Sequence, residues 1–339
     1  MKIKIEISIL LLLLICATEL YADINITNFK DGETVNYSLI LIKGKTDKKI
    51  KVVSHKNSFV SIKREDFRVL VELVPGNNEI LLKSRSVTAS LNVRYEPVNK
   101  KKKLVACYFV AKDGDTEYQT IKNVKEFLWR EKIQMSLKLM QSFLAEDMYS
   151  GGFGRKTFHF LADADNDPEV KLIKMDLSTE VLQSIKQMDL YDAFKQCLKR
   201  QVMFDRKNHI YIAIPSFTRD KKAHIALGGS YLAAYSSIAL QCWPDSMKNI
   251  KKYFKSNRKL PRYMYQYNHR KTLSTQGGGT MGGMLHEVGH CFKLKHAGSK
   301  LSIMQRGFEN FYSSFFLNGM NEASFEEQRN ILAKSDWVY

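Results

Sequence analysis

Residues 286–296 read HEVGHCFKLKH, and their types and spacing describe a metal-dependent hydrolase. His286 and His290 stand four residues apart, so on a helix both imidazoles project from one face and can present nitrogen to a single Zn2+. Glu287 adds the complementary chemistry. Its longer arm can reach a water held by the ion, take the proton as that water attacks a peptide carbonyl, and return it to the leaving amine. His296, six residues past His290, is the candidate third ligand, and it reaches the ion only if the chain turns sharply after the helix. Three protein ligands leave the fourth position of a tetrahedral ion open. A bare HExxH also arises by chance on amphipathic helices with solvated histidines; a third histidine at this spacing makes the pattern far more specific. Met284, Leu285, Val288 and Phe292 fit the same helix, burying the side opposite the histidines.

Other groups with chemical potential are weaker. Asp163, Asp165 and Asp167 alternate as in a calcium loop, but Pro168 stands where that loop needs glycine and no glutamate closes it, which leaves a surface turn. Gly277–Gly279 and Gly282–Gly283 lack the Lys-Ser/Thr of a phosphate loop and read as a mobile, closely approached lead-in to the metal helix. Arg306 and Tyr312 are minor candidates for oxyanion stabilisation. His159, His209, His224 and His269 have no ligand-like spacing, and isolated His55 reads as a surface residue.

The elements around the motif divide the 339 residues into two units. Residues 1–22 carry Lys2 and Lys4, an apolar run with five consecutive leucines, and small residues ending at Ala22, the pattern of a signal peptide whose removal releases a secreted chain. No later segment approaches the roughly 20 apolar residues of a membrane helix. Residues 23–99 read as short strands broken by turn signals, an all-β immunoglobulin-like sandwich. Lys100–Lys103 reads as a basic linker. From residue 104 to 339 strands alternate with helices, beginning with a buried strand at Leu104–Val110. A long helix through Ile121, Val124, Leu128, Leu137, Met140, Leu144 and Met148 follows. Phe158–Leu161 and His209–Ile214 read as strands flanking a helix over 179–200, and the apolar 223–240 segment reads as an edge strand and connection. An edge strand just ahead of the metal helix could pair with an extended peptide. Ser324 and Glu327 read as a capping box for a C-terminal helix.

Export makes further residues coherent. Asn25-Ile26-Thr27 and Asn36-Tyr37-Ser38 are glycosylation acceptors, and the four cysteines beyond Cys16 (Cys107, Cys197, Cys242, Cys291) permit two disulfides in any of three connectivities. The formal charge of +18 is dispersed apart from the 100–103 run, which fits a lysine-rich surface and points to no nucleic-acid partner. The expected partner is a protein or peptide substrate. The alternative is a catalytically weak binding protein whose sandwich and basic surface take an acidic polysaccharide.

HEVGHCFKLKH followed by Ser302-Ile303-Met304-Gln305-Arg306-Gly307 resembles the metzincins, which join a three-histidine site to a methionine turn. Within that group the chain resembles eukaryotic zinc metallopeptidases that carry an immunoglobulin-like module before the catalytic domain. Phe109–Asp115, Gly154–Phe158, the Trp243-Pro244 pair, the zinc motif and Met304–Phe308 carry the likeness. The resemblance implies a zincin catalytic domain with a twisted mixed sheet and an active-site helix. It also implies one zinc on His286, His290 and His296, Glu287 as base, and Met304 beneath the metal as structural support. The sequence departs at Lys293, where metzincins commonly place a glycine that turns the chain with positive φ. The rival is a gluzincin arrangement in which Glu309 or Glu322 completes the site.

Overall fold

The computed structural model describes residues 24–55, 57–85, 87–119, 125–217, 225–265 and 268–339. The signal-peptide reading of 1–22, Ile121, Val124 and His224 lie outside them. The chain forms a mixed α/β structure. Its first part holds two four-stranded sheets. One runs β1 (Asn25–Ile26), β3 (Leu39–Lys45), β6 (Asp66–Glu72), β5 (Ser58–Lys63). The other runs β2 (Glu33–Val35), β8 (Val87–Tyr95), β7 (Gly76–Ser84), β4 (Lys51–Val52). Period-2 alternation turns Ile40, Ile42, Val69 and Val71 of the first sheet and Ile80, Leu82, Leu91 and Val93 of the second into one apolar core. Gly76, at φ +97°, already begins β7, and buried Asn78 folds its amide back onto the Val74 and Gly76 carbonyls.

The second part is built on a five-stranded sheet in the order β12 (Val170–Lys174), β9 (Lys103–Val110), β13 (His209–Pro215), β15 (Leu232–Tyr235), β14 (Ala226–Gly229). All neighbours are parallel except β14, which runs antiparallel to β15 at the edge. The continuous apolar run of β9 is explained by burial on both faces. Leu104, Ala106 and Tyr108 pack toward α1 (Trp129–Ser150) and α5 (Leu273–Cys291), while Val105, Cys107 and Phe109 pack toward α2 (Thr179–Ser184) and α3 (Gln187–Lys199). The sheet is thus the middle of three layers, with α5 on one face beside β14 and β15.

Several expectations need correction. The long helix begins at Trp129, because Tyr118–Gln119 (β10) pairs antiparallel with Lys125–Glu126 (β11) just before it; exposed Leu128 sits at the helix start without a side-chain cap. The 179–200 helix is broken at Ile185 and Lys186, both extended at ψ near 160°. Phe158–Leu161 forms only an isolated bridge, Phe160 with Leu104, and the strand beyond it is Val170–Lys174. Gly277–Gly279 and Gly282–Gly283 lie inside α5 rather than ahead of it. Glu327 makes no capping box: its carboxylate accepts from the Gly298 and Ser299 amides, and α6 (Arg329–Ala333) has no side-chain cap. Cys107, Cys197, Cys242 and Cys291 are all buried free thiols, so the disulfides do not form; Cys107 and Cys197 lie in the core on one face of the large sheet, Cys242 and Cys291 in the core on the other.

The basic run is tied down. Lys102 pairs with Asp336 at 2.6 Å, and Lys103 already belongs to β9. Arg155 clamps the two parts together: it bonds Glu33 (2.7 Å), Glu146 and the Asn28 carbonyl while its guanidinium lies against the rings of Phe29 and Tyr149. No described helix is long and apolar enough to cross a membrane.

Candidate metal centre

Helix α5 starts on a capping box in which Thr272 and Thr275 exchange side-chain and backbone bonds. It ends where its last carbonyls are closed by two bonds of the Schellman pattern, Lys293 N–H to His290 O and Leu294 N–H to Gly289 O, both 3.0 Å. That pattern requires a left-handed residue at the first position past the cap, and Lys293 occupies it at φ +67°. A lysine therefore performs the turn that a glycine would make without steric cost. The reversal brings His296 back toward the helix face that carries His286 and His290.

The three histidines meet. One ligand nitrogen from each lies within 4.8 Å of the others, and the three ring centroids are 4.7, 4.9 and 5.2 Å apart. His286 is buried, His290 half-buried and His296 exposed, so the cluster runs from the interior to the protein surface. The backbone sets the tautomers. His286 Nδ1–H donates to Ile303 O at 2.7 Å and His290 Nδ1–H to Leu294 O at 3.0 Å, so both Nε2 atoms carry lone pairs. These two Nε2 atoms face each other at 3.1 Å. Two lone pairs at that separation repel unless a cation lies between them, and nitrogens about 2.0–2.1 Å from a tetrahedral zinc would stand about 3.3 Å apart. The residues present fit a zinc ion.

Met304 packs against α5. It is fully buried, and its sulfur occupies the space a Cβ would need at Gly289, the residue before His290. Its carbonyl accepts from Ala297 N–H at 3.0 Å, and with the Ile303 carbonyl the same turn supports one ligand directly and positions the neighbour of another. Glu287 faces the edge strand. Gly228 of β14 approaches so closely that a Cβ there would fall 2.7 Å from the Glu287 Cα, which brings the Gly228 amide near the Glu287 carboxylate. Burial raises the Glu287 carboxyl to about 7, with the Gly228 amide opposing. Burial also lowers His286 to about 4, helped by the adjacent His290 and His296 against the pull of the Ile303 carbonyl.

A family model described as "Putative peptidase family" (Metallopep) matches residues 23–338. The chain belongs to this family. Two curated relatives share its similarity, each named a "putative zinc metalloproteinase". That of Schizosaccharomyces pombe is 23% identical over 332 residues, covering 87% of this chain and 54% of the relative. That of Saccharomyces cerevisiae is 23% identical over 342 residues, covering 86% and 49%. This Metallopep chain spans about half the length of these relatives. Among solved structures, OgpA from Akkermansia muciniphila in complex with an O-glycopeptide aligns at a TM-score of 0.45 and 14% identity, over 70% of this chain and 61% of that one. The matched family is described as one of peptidases, the two relatives are named zinc metalloproteinases, and this chain carries a three-histidine cluster that fits a zinc ion.

The remaining candidates of this Metallopep chain lie elsewhere. Glu309 is taken by His269, Arg270 and Arg306, and Glu322 by Lys43 and Arg68; neither joins the histidine group. Tyr312 is buried with its hydroxyl on the Cys242 carbonyl. Asn25 is exposed in β1, whereas Asn36 is half-buried with its Oδ1 fully enclosed. Asp163 accepts from the Asp165 and Asp167 amides in a surface turn. Sequence reasoning missed the groups that orient the ligands: the Ile303 and Leu294 carbonyls, the Gly228 amide, and Phe308, whose ring meets His286 edge to face at 5.6 Å. Three of these are backbone atoms, which every residue carries, so no side-chain pattern marks them.

Proposed function

We propose that this chain is a secreted, metzincin-like zinc metallopeptidase with one catalytic ion on His286, His290 and His296. The observation that carries the reading is the pair of Nε2 atoms facing at 3.1 Å, each fixed by a carbonyl on its other nitrogen. The left-handed turn at Lys293 and the support of Met304 favour the metzincin pattern over a carboxylate third ligand. Residues 23–99 are read as the immunoglobulin-like module and 104–339 as the zincin catalytic domain, joined at 100–103. Export rests on the leader pattern of 1–22, and exposed Asn25 is the better glycosylation candidate.

When bound, the ion supplies Lewis acidity and brings water within reach of ionisation near neutral pH. The protein's own residues do the rest. β14 ends the sheet, the position from which an extended peptide can add as a further strand beside the metal helix. Glu287, withdrawn from bulk water beside the Gly228 amide, takes a proton from the attacking water and passes it to the leaving amine. The carbonyls of Ile303 and Leu294 hold two imidazoles in the required tautomer throughout.

The test compares wild type, chelator-treated protein and Glu287→Gln by metal analysis and digestion of a broad peptide library. About one zinc per chain and cleavage lost in both treatments, with zinc retained in Glu287→Gln, is expected; loss of the base should lower kcat by about 100-fold or more. Zinc binding with cleavage indifferent to Glu287 refutes the mechanism.

A further inference from the structure

The sheet β1-β3-β6-β5 is apolar on both faces. Its alternation sends Ile40, Ile42, Val69 and Val71 into the core of the first part. Leu39, Leu41, Phe59 and Leu70 enter instead the cluster that holds Met284, Leu285, Met304 and Phe311. An antiparallel sheet in an appended module commonly keeps one face for water. This one shares its second face with the core of the metal helix. The segment it grips there follows the Met304 turn. Residues 307–314 form a 3-10 helix that starts without a side-chain cap and runs for eight residues, where the poorer hydrogen bonds of this helix type usually sustain three or four. Its stability must therefore come from neighbours. One of these is α5: the Phe308 ring meets His286 edge to face at 5.6 Å, the Phe308 carbonyl takes the space of a Cβ at Gly282, and the Tyr312 ring crowds Gly277 and Gly278.

The other is the N-terminal sheet, which closes the C-terminal end of the 3-10 helix. Buried Arg68 of β6 donates to the Ser313 carbonyl and to the Glu322 carboxylate, and Lys43 of β3 reaches the same carboxylate at 3.3 Å. The Ser61 hydroxyl of β5 accepts the Leu317 N–H at 3.0 Å, and the Phe59 ring packs on Phe254 and Phe316 at 5.6 and 6.5 Å between centroids. A guanidinium at the end of a helix pairs a carbonyl that the helix leaves open and meets the negative end of its dipole. We propose that Arg68 is a positioning residue for the metal centre: the N-terminal sheet holds the 307–314 helix against α5 and, through Phe308, keeps the His286 ring in place for the ion. The inference rests on the zinc half of the proposed function and needs no peptidase activity. Arg155 supplies the contrast, because it joins the same two parts through Glu33, Glu146 and the Asn28 carbonyl, all outside 307–322.

The experiment measures zinc affinity of the full chain by competition with a chromophoric chelator, together with the visible spectrum of the Co2+-loaded protein. Arg68→Met removes the donors and leaves the buried Ser313 carbonyl unpaired; zinc binding about tenfold weaker and an altered Co2+ spectrum are expected. Arg68→Lys, which keeps the charge and a donor, should fall between Met and wild type. Arg155→Met should bind zinc within about twofold of wild type although urea unfolds it more easily. Hydrogen exchange of the metal-free chains reads the same contact without zinc. Arg68→Met should speed exchange in 307–314 and in α5 around His286 by about tenfold relative to Arg155→Met. Should Arg68→Met not fold, Ser61→Ala, which removes only the acceptor of the Leu317 amide, should show the same pattern at about threefold. The proposal is overturned if the Arg68 and Arg155 variants weaken zinc equally, or if the folded brace variant matches wild type in both zinc affinity and exchange. A wild-type chain that takes up no zinc refutes the zinc reading, and exchange then decides the positioning role.

Discussion

The turn at Lys293 offers the sharpest quantitative test of how the site is assembled. A side chain in the left-handed region costs about 1 kcal/mol, and glycine removes that strain but adds about 0.5–1 kcal/mol of chain entropy in the unfolded state. The two nearly cancel, so Lys293→Gly should stay within about 1 kcal/mol of wild type. Lys293→Val behaves differently. A β-branched residue is a severe outlier at φ +67°. The chain must either bear about 2 kcal/mol of strain or leave the left-handed region and lose the bonds from Lys293 N–H to His290 O and from Leu294 N–H to Gly289 O, each about 1 kcal/mol. Leaving also withdraws the Leu294 carbonyl from His290 and carries His296 off the helix face. Either route separates the Val and Gly variants by about 2 kcal/mol, or about 30-fold in an equilibrium constant. Denaturant unfolding of the metal-free proteins reads the first route, and zinc competition against a chromophoric chelator reads the second. Lys295→Val, at an exposed position without positive φ, is the control. If Lys293→Val unfolds at the wild-type denaturant concentration and also binds zinc with wild-type affinity, the left-handed turn does not deliver His296.

Three further perturbations probe the surroundings. Gly228→Ala drives a Cβ into the Glu287 backbone, so β14 must move off α5; a stability loss of about 1–3 kcal/mol and at least a tenfold fall in kcat/KM on peptides are expected, and unchanged kinetics would exclude a role for that contact. Arg155→Met strands the buried Glu146 carboxylate and should cost about 3–5 kcal/mol by urea unfolding, with much of the loss recovered when Glu146→Leu is added; no recovery would mean packing against Phe29 and Tyr149 dominates. His159 is lowered to about 4 by burial, with Lys100 and Lys103 adding to the effect. The unfolded chain then binds its proton first, so this residue's contribution is complete above about pH 6.5 and lost as pH falls toward 4, by at most about 3 kcal/mol. Comparing wild type with His159→Gln by urea midpoints at pH 7, 5.5 and 4.5 separates this slope from that of His286; parallel curves would remove His159 as its source.

The chemistry was legible because it lies in side-chain identity and spacing. The HEVGH helix, the returning His296 and the strands of 38–95 were readable from periodicity and turn residues. What escaped was decided by tertiary surroundings. Val170–Lys174 reads VKLIK, five residues without regular alternation, and it becomes a strand by pairing with β9 at the sheet edge. Ile185 and Lys186 interrupt the helix without a glycine or proline to announce the break. Glu327 has the right spacing for a capping box, but the Gly298 and Ser299 amides compete for its carboxylate and win. The even cysteine count suggested pairing, yet burial gave each thiol a place in the core.

The six glycines within α5 bear on when the site comes into being. At about 1 kcal/mol each relative to alanine, they leave this helix several kcal/mol short of persisting in isolation. Its stability is borrowed from neighbours that press where side chains are missing, among them the Phe308 carbonyl at Gly282 and the Tyr235 ring of β15 at Gly283, which come from opposite sides of it in the sequence. The ligand-bearing helix should therefore settle late, after the chain on both sides has closed around it. A nascent or truncated molecule lacking the 302–308 turn would hold HEVGH in its sequence and still have no place to load an ion.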